Sequence, residues 1–161
     1  MTSPVYRLEG ESLSAVTVDA RVAAIRWDVV PWGLVLDLDA PLSGAPQAPM
    51  RRVWLLFSGV SEVSWPIEEA RLPNGCWLTS GIASADAGGG FREYRFTSLL
   101  PRFAGDVLSS EQPPGVVVIR AQRLDGVASN KAHPAEEHGV PWGERTRLAS
   151  DEELASALEA T

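Results

Sequence analysis

From Gly33 to Asp39 apolar and acidic positions alternate: Leu34, Leu36 and Leu38 fall on one side of an extended chain, Val35, Asp37 and Asp39 on the other. Side chains of a strand point to opposite faces with a period of two, so the spacing predicts a half-buried β-strand with an outward acidic face. Val22 to Trp27 is β-branched and aromatic and is the expected antiparallel neighbour, joined through residues 28–32 with Pro31 in the connection. The run Pro41 to Pro49 (PLSGAPQAP) supports neither ladder nor helix and predicts a surface loop. Arg52 to Phe57 differs in kind. Val53, Leu55 and Phe57 share one face while Trp54 and Leu56 make the other apolar too, so this strand is expected to be covered on both sides by a second layer.

Turn chemistry extends the pattern. Asn74-Gly75 predicts a tight hairpin turn, and Gly88 to Gly90 separate Trp77–Ala83 from Phe91–Phe96 as a second hairpin. Pro113-Pro114-Gly115 opens a strand from Val116 to Leu124, which Asp125-Gly126 is expected to close. Glu11 to Val18 reads equally as a short helix or an edge strand, and no internal repeat aligns the strands. The fold class is therefore mainly β: an antiparallel sandwich or strongly twisted sheet of roughly six to eight strands with a short C-terminal helix.

That helix carries its own start signal. Ser150 with Glu153 three residues on makes a capping box, and Asp151, Glu152 and Glu153 complement the helix dipole. Between the β-body (1–127) and the helical segment (150–161), residues 128–149 are polar and aperiodic and read as a strap or linker. Leu154 and Leu158 are the only large apolar residues of the helix, and isolated helices under about 12 residues are marginal in water, so they must dock on the body or on a partner chain.

Composition narrows the setting. With 45% hydrophobic and 22% charged residues the chain is ordinary globular material, and it has neither a secretory leader pattern nor an apolar run of membrane-spanning length. One cysteine, Cys76, precludes an internal disulfide and a cysteine metal cage, which fits a reducing cytoplasm. A formal net charge of −7 argues against nucleic acid as a partner. Thirteen of the fourteen basic residues are Arg, a bias expected of a bacterial genome rich in G and C. The segment from Lys131 onward holds three basic and seven acidic residues, so over half of the net charge is in the tail.

Candidate chemistry is sparse. His133 and His138 lie two carboxylates apart across Pro134, a spacing of neither a helical zinc pair nor a zinc finger. Neither histidine neighbours a nucleophile turn, and Cys76 beside Trp77 reads as a small buried hydrophobe. The triple glycine lacks the Lys-Ser or Lys-Thr of a phosphate loop. No catalytic residue, metal or cofactor is therefore expected. The residues with most to offer a partner are the outward Asp37 and Asp39 and the tryptophans of Pro-flanked or connecting segments, Trp32, Trp65 and Trp142.

The order of a tryptophan-led hairpin, an acidic L-x-L-x-L strand, a proline-rich loop and Leu55-Leu56-Phe57-Ser58-Gly59-Val60 resembles bacterial polymorphic-toxin immunity proteins over residues 22–63. The resemblance implies a cytoplasmic non-enzyme that binds and neutralises one toxin. Two other functions fit the same residues: a structural or accessory subunit of a bacterial assembly, and an enzyme or small-ligand binder whose site is built from distant residues. The expected partner is a protein rather than nucleic acid or membrane, with self-association left open.

Overall fold

The computed structural model describes residues 5–27, 33–41, 48–65, 77–99, 102–104, 107–109, 115–133 and 149–160. In chain order the elements are β1 (Val5–Leu8), α1 (Gly10–Ala15), β2 (Ala20–Arg26), β3 (Gly33–Pro41), β4 (Met50–Ser58), β5 (Glu62–Ser64), β6 (Trp77–Leu78), β7 (Ala83–Gly88), β8 (Phe91–Leu99), β9 (Arg102–Ala104), β10 (Val107–Ser109), β11 (Gly115–Ala121), β12 (Arg123–His133) and α2 (Asp151–Glu159). The protein is mainly β, and every strand pairing is antiparallel.

The main sheet runs β1-β12-β4-β3-β2-β6-β8-β11-β5, with β7 also on β8, while β9 and β10 form a separate ribbon. Four of its strands are the bent halves of two longer ones. β5 continues β4 past Gly59, and β12 continues β11 past Gln122. Hydrogen bonds from Gln122 N to Ser58 O and from Ser61 N to Arg120 O, both 2.9 Å, carry the ladder across the bend from β4·β12 to β5·β11. The sheet therefore folds back on itself into two layers that share these strands. Their inner faces meet in one core: Leu34, Leu36, Leu38, Val53, Leu55 and Phe57 from one layer pack with Tyr94, Phe96, Val117 and Ile119 from the other. Phe57 and Tyr94 meet edge-on across it at 5.5 Å, a favoured aromatic geometry.

The expected β2–β3 hairpin forms, with Ile25 opposite Leu36, as does the glycine-turn hairpin. In the latter, however, β7 rather than residues 77–83 faces the start of β8, because the line of β6 breaks at residues 79–82. There Thr97 N donates to the Ser80 hydroxyl and Ile82 N turns away to Ser14 O of α1. Glu11 to Val18 resolves as helix α1 followed by a turn.

Asp125-Gly126 does not end a strand. β12 runs through it to His133, six residues into the stretch read as a strap. Asp125 is held by Arg7 and Arg123, each at 2.7 Å, and Gly126 is required by packing: a Cβ there would meet Leu13 of α1, Leu55 and Leu8. Most of the PLSGAPQAP loop, the Asn74-Gly75 turn and residues 134–148 lie outside the described residues.

The second cover predicted for β4 is α2. Leu154 and Leu158 dock in cis on Val5, Val35, Trp54, Leu56 and Val127, forming a smaller cluster on the outer face of the first layer. The capping box is complete, with Ser150 Oγ accepting from Glu153 N and Ser150 N donating to the Glu153 carboxylate. Burying the two leucines stabilises the dock by about 3–6 kcal/mol before ordering entropy is subtracted.

Candidate interaction surface

The acidic face of β3 does not point to solvent. Asp37 and Asp39 are 3% and 2% exposed, which corrects their reading as outward residues, and Asp37 lies beneath the start of α2. Register explains how burial is tolerated: Asp37 stands opposite Trp54 and Asp39 opposite Arg52, so the long Arg52 side chain reaches Asp37 diagonally. Its Nη2 donates to Asp37 Oδ2 at 2.7 Å and its Nε to Oδ1 at 3.1 Å, the two-pronged match of guanidinium and carboxylate. The same side chain donates to Ala149 O at 3.0 Å and Asp151 at 2.6 Å, and Arg26 reaches Asp151 at 2.8 Å. Arg26 and Arg52 also lie over the Trp54 ring, 5.3 and 5.5 Å from its centre.

Burial pushes the Asp37 carboxyl up in pKa, opposed by the Arg52 guanidinium and by the Trp54 indole N–H, which faces the carboxylate without completing a hydrogen bond. Partial burial also acts upward on Asp151, but hydrogen bonds from Arg52 and Arg26 outweigh it and hold this carboxyl below its ordinary value. Chemically the cluster is a latch. Asp37 spends both oxygens on Arg52, which ties the helix N-terminus to β3 and β4.

Of the three tryptophans singled out, Trp65 is partly buried against the main core and stacks edge-on to Phe96 at 5.9 Å, so it is a plug at the end of β5 rather than an exposed anchor. Trp32 and Trp142 lie outside the described residues, as do Cys76 and His138; His133 ends β12. Among the described residues the large exposed aromatic is Trp27, 57% accessible just after β2, where the hairpin pattern predicts a strand.

A more informative surface lies on the second layer. β11 alternates Val117, Ile119 and Ala121 inward with Val116, Val118 and Arg120 outward, so most of its positions are apolar on both faces, as in β4. β4 is covered by α2, whereas Val116 is 47% exposed and, among the described residues, no element packs over this face. In the ladder Val116 stands opposite Thr97, Val118 opposite Arg95 and Arg120 opposite Glu93, with Ser64 and Glu62 of β5 on the far side. Glu93 pairs with Arg95 at 2.6 Å, and the Thr79 and Thr97 hydroxyls bond at 2.6 Å. The result is a small apolar patch, Val116 and Val118, inside a polar rim. A sequence signal for it existed in the run Val116-Val117-Val118-Ile119, which leaves no polar face.

A shallow cleft opens on the other side of the β7–β8 hairpin, against α1, with Arg92 and Tyr94 on its wall. Among the described residues no cluster of three or more metal-ligating side chains occurs, and no helix is long and apolar enough to cross a membrane. Comparison with family models, with curated proteins and with solved structures finds no match to this chain.

Proposed function

We propose that the chain is a non-enzymatic protein-binding domain of the bacterial cytoplasm, and in its sharpest form an immunity protein that binds and neutralises one toxin. One observation carries the reading: β11 has the composition of a strand covered on both faces, yet on its outer side Val116 is 47% exposed and Val118 only half-buried, with no element over them among the described residues. An apolar centre within a polar rim is the anatomy of a protein interface. The resemblance over residues 22–63 supports the immunity form and bears on the same strands, since Leu55–Val60 makes the bend that joins the layers.

A second reading, an accessory subunit of a bacterial assembly, is favoured by β7. Its residues Ala83–Asp86 pair with β8 on one side and, among the described residues, with no strand on the other, which offers an edge for strand addition.

The deciding experiment co-expresses the protein with the product of the adjacent gene in a bacterial host and scores growth. Rescue from toxicity by the wild type, lost in Val116→Glu at unchanged thermal midpoint, is the immunity outcome. Absence of toxicity, with a neighbouring gene product co-purifying in a manner abolished by Ala85→Pro and not by Val116→Glu, is the assembly outcome. Neither rescue nor co-purification overturns both.

A further inference from the structure

Helix α1 and the turn that follows it are pinned across one end of the core by three contacts. Ser14 O accepts from Ile82 N at 2.7 Å, Thr17 Oγ1 donates to Ser80 O at 2.7 Å, and Leu13 lies over Gly126. Between the helix and the inner face of the β7–β8 hairpin this leaves a cleft of about 250 Å³. Its apolar surface comes from Leu13, Ile82 and Leu124, and its polar groups include Ser84, Arg92 and Tyr94.

The charge state of this wall is unusual for an acidic protein. Arg92 stands opposite Asp86 in the hairpin register, the position of a natural cross-strand ion pair. Asp86 is instead turned to the glycine turn, where its Oδ1 accepts from Gly88 N at 2.9 Å. Arg92 bonds only the neutral Ser84 hydroxyl, at 3.0 Å, and forms no ion pair among the described residues. Asp125, next to Leu124 on β12, is taken by Arg7 and Arg123. Among the described residues no carboxylate lines the cleft. A guanidinium with four unused N–H donors thus sits over an apolar floor beside the Tyr94 phenol.

From this geometry we propose that the cleft binds a small organic acid, a carboxylate carried on a compact apolar body, with the carboxylate on Arg92 and the body on Leu13, Ile82 and Leu124. The guanidinium fork matches a carboxylate in two-pronged fashion, and its weak hydration lowers the cost of desolvating it on binding. Pockets for drug-sized ligands run about 300–1,000 Å³, so the part of the ligand that this cleft can hold is of benzoate or hexanoate scale. The cleft faces the inner side of the hairpin and the Val116 patch faces outward, so this site stands or falls independently of the proposed protein interface.

The test is a titration of the full chain with benzoate in a carboxylate-free buffer, followed by amide and Arg side-chain NMR shifts. Benzyl alcohol and inorganic phosphate serve as separate arms. Saturable shifts at millimolar benzoate confined to residues 10–14, 82–94 and 124, at least tenfold weaker with either comparison compound, are expected. Arg92→Gln should weaken benzoate tenfold or more, and Arg92→Lys, which keeps the charge but not the fork, should fall between. Both variants are at an exposed position, and an unchanged spectrum elsewhere verifies the fold. Shifts that do not saturate, equal binding of benzyl alcohol or phosphate, or equal affinity in Arg92→Gln would each overturn the proposal.

Discussion

Asp37 and Arg52, on neighbouring strands, form a buried two-pronged ion pair beneath the N-terminus of the C-terminal helix, at 2.7 and 3.1 Å. Removing one member of such a pair leaves an uncompensated buried charge and typically costs about 3–5 kcal/mol. Arg52 keeps Asp151 and Ala149 O as partners, so Asp37→Ala is expected near the lower end, about 3 kcal/mol, read from urea denaturation. The double variant Asp37→Ala/Arg52→Ala should cost clearly less than the sum of the singles. Additive effects would mean that the two side chains do not act as a pair.

Leu36 precedes Asp37 and points into the main core, with no exposed surface. Leu36→Asp should destabilise by several kcal/mol by burying an unpaired carboxylate, enough to prevent folding. Alternation along β3 correctly assigns Leu36 and Asp37 to opposite faces. What it does not reveal is that both faces are covered, since a local period reports which residues share a side and not what lies above them. The cover, α2, is more than 100 residues away in sequence. Its docking was legible only as a need, from two leucines on a helix too short to stand alone. The fold class, the β2–β3 pairing and the capping box were readable because each rests on neighbours in sequence. Closure of the layers and passage of β12 through Asp125-Gly126 were not, because Gly126 answers to Leu13 and Leu8, contacts made only once α1 is packed. The uncovered side of β11 was half legible: its composition was visible, its exposure was not.

Truncation after Ala149 should lower stability without changing the oligomeric state, because Leu154 and Leu158 dock on their own chain. Their burial is worth about 3–6 kcal/mol before ordering entropy, so a net loss of roughly 2 kcal/mol is expected. Denaturation and sedimentation of the full and truncated chains, side by side, check it. A stability unchanged by truncation would mean that α2 is not held to the sheet.

Acid should weaken the hold of Asp151 on α2. The Asp151 carboxyl is held below its ordinary value of 3.8 in the folded state, so its contribution is present above that pH and is lost as pH falls through the lower folded value. Its side chain is 53% exposed, so the effect is modest. Asp37 runs the other way, since a raised carboxyl pKa favours the folded state as pH falls. The Asp151 contribution is isolated by comparison with Asp151→Asn. In the wild type, the stability advantage over this variant should shrink on going from pH 6 to pH 2, with α2 amides showing the largest relative loss of exchange protection. An advantage independent of pH would refute the role assigned to Asp151.

The bend that joins the two layers depends on Gly59. Its φ of +62° is left-handed, a conformation that costs a residue with a Cβ about 1–2 kcal/mol, and a Cβ placed there would also meet the Gln122 side chain. The two penalties are separable. Gln122 is exposed and flexible, so its side chain can swing aside, whereas the backbone is fixed by the hydrogen bonds Gln122 N to Ser58 O and Ser61 N to Arg120 O that carry the ladder round the corner. Gly59→Ala is therefore expected to cost about 1–2 kcal/mol, and Gln122→Ala in the same chain should recover little of it. Gly59→Asn should cost less than Gly59→Ala, because Asn tolerates the left-handed region. Denaturant midpoints of the four proteins decide the matter. Full recovery by Gln122→Ala would reduce the role of Gly59 to steric clearance, and a neutral Gly59→Ala would show that the bend tolerates another backbone conformation.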